Sequence, residues 1–307
     1  MIGNAFLTID SGGSKTKLTL YGIGGNRIRE RTTFGFGAAE DSESILDEAA
    51  LIFSDFCKEY NVVSAICNLG GKNKKQMEIT LRSVFPTSRI EVFRESEGVI
   101  GLALCEKYGA GVTLMAGTGS IAIAKAGNGA VICGGWGANI GDKGSGYQLG
   151  LDAIRLALEE LDGIGELSLL TKALTGIGEA PRTMSAQAYC AFRDAVRKKL
   201  APFDRAHIAS YAKKVSECAS LGDKGAIALY ERVGCDLADT VILAAKKRGG
   251  ALDGVVVNGG MVNAKAFWQN SFEKKLFDVY GKLKIHYLTD GIDEAMCDMA
   301  KRIIKGE

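Results

Sequence analysis

The chain has 307 residues, 47% of them hydrophobic and 24% charged, as in an ordinary globular protein, and its length suggests two domains, either large enough to bury its own core. Its 38 basic and 36 acidic residues leave a formal charge of +2 with no basic stripe, which argues against a nucleic-acid partner. No apolar run reaches the ~18 residues of a membrane span, so no membrane association is expected.

Taken in chain order, "AFLTID" is a short apolar strand that ends in an acid, and "KTKLTLYGI" alternates polar and apolar residues like a half-buried strand. Gly24-Gly25-Asn26 marks a hairpin turn, after which "RIRERTTF" continues the meander. "SILDEAALIFSDFCKEY" has helical spacing of its apolar residues, and "VVSAICNL" reads as a buried strand broken by Gly70-Gly71 before another helix. "RIEVF" is a strand, followed by a helix through "VIGLALCEKY". "GVTLMAGTGSIAIAKAGNGAVI" then gives strand, turn, strand, hairpin and strand. It loosely repeats "NAFLTIDSGGSKTKLTLYGIGGNRI" at an offset of roughly a hundred residues, which suggests two similar half-structures facing each other. From Gly150 to about Arg248 the pattern is helical, with apolar stripes at i, i+3, i+4 and i+7. "GVVVNGG" and "KIHYLT" are the last strands and "IDEAMCDMAKRII" the last helix.

Glycine is the compositional outlier, with 40 residues against 3 prolines, which points to close backbone approaches rather than disordered linkers. The eight cysteines form no CxxC pair and sit mostly among apolar residues, so reduced, buried thiols and a cytoplasmic location are expected. The first residues, "MIGNAFLTIDSGG", lack the basic and long apolar regions of a signal peptide. With only two histidines, His207 and His286, a histidine base is not expected, and both are read as structural or surface residues.

Three glycine-rich turns each follow a strand: Asp10-Ser11-Gly12-Gly13-Ser14-Lys15-Thr16, Gly117-Thr118-Gly119-Ser120 and Asn258-Gly259-Gly260. Such turns let backbone N–H groups and hydroxyls approach a phosphate closely. Asp10, at a strand end beside one of them, is placed to hold Mg²⁺, largely through water. No GxxxxGK[ST] loop and no GxGxxG opening a helix is present, which argues against a P-loop enzyme and a Rossmann site.

The segments DSGGSKT, AGTGSIA, GGWGANIGDKGSGYQLG and VNGG, in this order over essentially the whole chain, resemble the N-acetylglucosamine kinase and BadF/BadG/BcrA/BcrD ATPase family of the actin–hexokinase–Hsp70 superfamily. The resemblance implies an α/β fold of two ribonuclease-H-like (actin-like ATPase) domains. The first would comprise residues 1–110 with a C-terminal helix at about 291–307, and the second 111–290 with a helical insert at about 150–248. ATP with Mg²⁺ would lie between them. Asp10, Gly12, Gly13, Ser14, Lys15 and Thr16 would clasp the phosphates from one side and Gly117, Thr118, Gly119 and Ser120 from the other, while Gly259 and Gly260 would flank adenine or ribose. Asp142 matches a carboxylate that binds a sugar hydroxyl, in a pocket shaped by Gly141 and Gly144. Trp136 is read as an aromatic that packs its turn.

The same resemblance implies a sugar kinase acting on an amino sugar or related hexose, and a homodimer. Its base would be Glu97, with Glu95 as the fallback, in "FRESEGVIGLAL", where the family has an Asp; the bland reading of Glu97 is a helix N-cap. Other sugar contacts depart from the family: Ala38, Ala39 and Glu40 stand where an Asn is placed, Leu69 where a Ser is placed, and Lys143 follows Asp142 in place of a Glu. The open alternatives are an ATPase that drives a partner protein, whose relatives carry iron–sulfur cysteines in a Cys-rich loop not found here, and a binding protein that has lost catalysis.

Overall fold

The computed structural model describes residues 3–12, 15–36, 43–71, 73–127, 129–179, 183–289 and 292–306. Its first strand, β1 (Gly3–Ser11), buries every residue from Ala5 to Ile9, as a strand covered on both faces must. β1 pairs antiparallel with β2 (Lys15–Gly22) and parallel with β4 (Tyr60–Leu69). With the edge strands β3 (Arg27–Phe34) and β5 (Arg89–Arg94), the order of the first sheet is β3-β2-β1-β4-β5.

The second sheet is built from β6 (Val112–Ala116), β7 (Ser120–Ala126), β8 (Gly129–Gly134), β9 (Gly254–Asn258) and β10 (Lys284–Leu288), in the order β10-β9-β6-β7-β8. Each sheet is therefore an antiparallel meander of three strands, extended by two parallel strands beside the first of the three. The loose sequence repeat is the trace of this repeated topology.

The period-two alternation of strand side chains sorts them between cores. Ala5, Leu7 and Ile9 of β1 face α1 (Glu43–Cys57) and α2 (Lys74–Val84), whose Phe53, Met77 and Leu81 share their core. Phe6 and Ile66 point the other way, into a core shared with Met115, Ile121, Ile123 and Val256 of the second sheet. Two helices fill the space between the sheets: α3 (Val99–Tyr108), through Ile100 and Leu104, and α10 (Asp293–Lys305), through Ala295, Met296 and Ala300. α10 is anchored on the first sheet by the Lys17–Asp293 ion pair, 2.7 Å long with Asp293 buried.

The helical insert lies between β8 and β9: α4 (Gly146–Leu161), α5 (Leu169–Thr175), α6 (Ala186–Leu200), α7 (Arg205–Ser220) and α8 (Lys224–Lys247). Each starts where a Ser or Asp side chain accepts a hydrogen bond from a first-turn amide: Ser145, Ser168, Ser185, Asp204 and Asp223. α9 (Lys265–Tyr280) follows β9 and buries Trp268, Phe272 and Leu276 on the second core. Of the cysteines, Cys190 is exposed and Cys235 half-buried, and the other six are buried. Among the described residues no helix is long and apolar enough to cross a membrane.

Candidate active site

The first sheet carries acids and amides to the carboxyl ends of its parallel strands, where open α/β sheets bind ligands. Asp10 of β1 stands opposite Asn68 of β4, and the Asn68 Nδ2 donates to Asp10 Oδ1 at 3.1 Å. Burial pushes the Asp10 carboxyl up to about 6; the Asn68 hydrogen bond opposes the rise and the nearby Asp293 charge reinforces it. The Asn68 Oδ1 is buried and has no hydrogen-bond partner among the described residues. Asn258 holds the equivalent end position on β9, and its Oδ1 is also buried without a partner there.

The loop after β1 is closed by Gly12 N–H donating to Lys15 O at 2.9 Å. The Thr16 hydroxyl meets Ser11 Oγ at 2.9 Å and accepts from the Phe36 amide at 3.1 Å, so it braces the loop from inside the core rather than facing outward. Lys15 is exposed. Gly13 and Ser14 lie outside the described residues, as do Ala38, Ala39 and Glu40.

The turn from Gly117 to Ser120 is pinned to the start of α4. Gly146 N–H donates to Gly117 O at 2.8 Å, Tyr147 N–H to Thr118 O at 3.3 Å, and Ser120 Oγ to Lys143 O at 2.7 Å. The turn after β9 lies alongside: a side chain on Gly117 would come within 3.8 Å of the Gly260 amide nitrogen. Gly259 has φ +111°, and a Cβ there would overlap the Ala116 carbonyl, so only glycine fits.

The two glutamates after β5 point to different neighbours. Glu97 sits in a 3₁₀ turn and receives Lys74 Nζ at 2.8 and 3.0 Å, Arg94 Nε at 3.3 Å and the Arg94 amide at 3.3 Å. These donors, Lys74 foremost, hold its carboxyl below the usual range. Glu97, expected as the proton acceptor, is engaged by Lys74 and Arg94 in the manner of a cap, the other reading the sequence left open. Glu95 turns toward the Asp10 loop. Its Oε2 lies beside Gly70, where a Cβ would be 3.6 Å away, and Gly70 N–H bonds Ser11 O at 2.7 Å on the Asp10 loop. Burial raises the Glu95 carboxyl to about 7, with Asp10 and Asp142 adding to the rise and Arg205 opposing it.

Asp142, on the loop from β8 to α4, is 3% exposed and has φ +54°, unusual for a residue with a side chain. Its Oδ1 accepts from the Gly137 amide at 3.3 Å and its Oδ2 from Arg205 Nη2 at 3.1 Å. Gly119 passes directly beneath: a Cβ would lie 2.6 Å from Arg205 Nη2 and 2.7 Å from Asp142 Oδ2. Asp142 thus lies against the second glycine turn.

Its neighbours behave differently. Gly141 would drive a Cβ to 2.7 Å from Trp136 Cβ, and Gly144 to 2.6 Å from Leu237 Cγ on α8, so both permit close packing of the loop. Trp136 is 76% exposed, which overturns its reading as an anchoring aromatic. Lys143 is exposed, as a solvated charge would be, and Leu69 is 1% exposed in the first core, so no side chain reaches the cleft from that position. His207 bonds Tyr211 Oη at 3.0 Å and His286 packs on Tyr108, away from the carboxylates.

Asn68 and Arg205 were not singled out in the sequence. Asn68 had a local signal, since "NLGG" after β4 parallels "NGG" after β9. Arg205 had none, because it arrives from the first turn of a helix 63 residues beyond Asp142.

Two five-stranded sheets of one repeated topology, with glycine turns at their strand ends, define an α/β fold of two similar halves. Residues 7–293 match the BadF/BadG/BcrA/BcrD ATPase family, and the chain belongs to that family. It is 32% identical over 175 residues to the N-acetylmuramic acid/N-acetylglucosamine kinase of Clostridium acetobutylicum, covering 53% of this chain and 56% of the relative. It is 26% identical over 187 residues to the N-acetyl-D-glucosamine kinase of Dictyostelium discoideum, covering 55% and 59%. These matches span little more than half of each relative. A ROK family glucokinase from Streptomyces griseus, solved with glucose and AMPPNP, shares the fold with a TM-score of 0.60 at 14% identity, over 97% of this chain and 99% of that one.

Proposed function

We propose that this protein is an ATP-dependent sugar kinase acting on an amino sugar or a related hexose, with Glu95 as the general base. The observation that carries the reading is the set of Glu95, Asp10 and Asp142 beside two glycine turns, in which burial, reinforced by the other two carboxylates, raises Glu95 to about 7. A base of that strength is half-ionised at working pH and can accept a proton in the transition state. The curated relatives named for amino-sugar kinase activity support the acceptor class.

In this reading the Gly117–Ser120 turn and the Asp10 loop hold the phosphates of ATP from either side, and the Gly259–Gly260 turn borders the nucleoside. Asp142 accepts a hydrogen bond from an acceptor hydroxyl. The reacting hydroxyl passes its proton to Glu95 as its oxygen bonds the γ-phosphorus. The bond from that phosphorus to the β–γ bridging oxygen breaks, and ADP leaves. Asp10 and the unpartnered Asn68 Oδ1 are hard oxygen donors that suit Mg²⁺, and no group of three or more metal-ligating side chains exists among the described residues, so water and phosphate oxygens would complete its shell. Bound there, Mg²⁺ would neutralise phosphate charge. Closure between residues 1–110 with 291–307 on one side and 111–290 on the other would exclude water from the transfer.

The test is ADP release with Mg·ATP against N-acetylglucosamine, glucosamine, N-acetylmuramic acid, N-acetylmannosamine, glucose and no acceptor. Acceptor-dependent release supports the reading and identifies the sugar. Release indifferent to every acceptor would overturn it in favour of an ATPase that works on a partner.

A further inference from the structure

We propose that Arg205 is a cis-acting clamp for the γ-phosphate, parked on Asp142 until substrates enter. The inference rests on the kinase reading for its ligand and goes beyond it in assigning a residue from the helical insert to the phosphate.

Three independent features of Arg205 point this way. First, its guanidinium lies over the second phosphate turn, so close to Gly119 that any side chain there would strike Nη2 at 2.6 Å. Glycine at that place keeps a path open between the guanidinium and the backbone amides that would hold phosphate. Second, among the described residues its ion pair is a single contact, Nη2 to Asp142 Oδ2 at 3.1 Å, with the side chain 48% exposed. A guanidinium carries five donors in a planar fork that matches two phosphate oxygens at once, and this contact uses little of that capacity. Third, Arg205 is in the first turn of α7, behind the Asp204 cap, where a cation opposes the helix dipole. Helix stability does not explain a cation there; a partner across the turn does.

The arrangement couples the two substrates. Asp142 competes with phosphate for Arg205. An acceptor hydroxyl that bonds Asp142 weakens that competition and frees the fork to meet the oxygens of the transferring group, on which negative charge is spread in the transition state. Without an acceptor Arg205 is shared between Asp142 and the γ-phosphate, so it favours the triphosphate but completes its fork only when a hydroxyl takes its place on Asp142.

The experiment compares the affinities of Mg·ADP and of a non-hydrolysable β,γ-imido triphosphate by calorimetry, in the parent protein and in Arg205→Ala and Arg205→Lys. The parent should prefer the triphosphate, Arg205→Ala should lose that preference by about tenfold with ADP affinity unchanged, and Arg205→Lys should retain part of it. Unchanged melting temperatures would exclude misfolding as the cause. An Arg205→Ala variant that keeps the preference, or that loses ADP and triphosphate affinity equally, overturns the proposal. Because the comparison needs no acceptor, a protein that phosphorylates no sugar would still decide it, and one that binds neither nucleotide would overturn both readings.

Discussion

At the residue scale, the two glutamates after β5 differ by about 240° in the phase of their 3₁₀ turn and by everything that surrounds them. Glu97 spends its acceptor capacity on Lys74 and Arg94. Glu95 faces two other carboxylates, and burial keeps it from ionising easily. Substitution separates them: Glu95→Gln should lower kcat by about 10²–10⁴-fold while nucleotide affinity persists, whereas Glu97→Gln should leave kcat within about threefold of the parent. Steady-state kinetics on both variants checks this, and equal losses would return the base to Glu97. A base must be unprotonated to act, and the Glu95 carboxyl is raised to about 7, so kcat/KM should fall as pH drops through about 7. A profile flat from pH 8 down to pH 5 would count against Glu95.

At the scale of elements, the Asp142 loop is held in place by helices that cross at close range. Gly150 of α4 meets the Ile208 carbonyl of α7, leaving no room for a Cβ. A backbone carbonyl cannot rotate aside, so Gly150→Ala should destabilise the protein by about 1–3 kcal/mol and displace the α7 start that carries Arg205. Thermal or urea unfolding measures the first effect; an unchanged midpoint would show that α4 and α7 separate easily. The helical insert was legible from apolar stripes at helical spacing, while the Ser or Asp cap that opens each of its helices went unread. α9 was not read from the sequence, although Trp268, Phe272 and Leu276 recur at i, i+4 and i+8, because charged residues interrupt the other positions and blur the stripe.

For the whole molecule, α10 packs on the first sheet and α3 on the second, and the two helices meet between them, so movement of one sheet against the other must shear the core they share. In the proposed kinase, closure of that kind would couple nucleotide and acceptor. A nucleotide analogue or an acceptor at a hundred times its Kd should each stabilise the protein by about 2.7 kcal/mol, and the two together by more than the sum. Thermal unfolding with each ligand and with both measures this, and strict additivity would exclude coupling through closure.

The sequence by itself determined the strands, the striped helices of the insert, the repeated meander and the three glycine turns. All of these rest on local signals: residue period and the conformational freedom of glycine. Through its motifs it also located Asp10 and Asp142. Only the tertiary structure decided which glutamate faces the Asp10 loop, that Leu69 and Thr16 turn inward, that Trp136 stands in solvent, and that Arg205 reaches Asp142 across 63 residues of chain. Charge partners, burial and desolvation are properties of neighbours in space, and neighbours so far apart in sequence leave no mark on any short stretch of it.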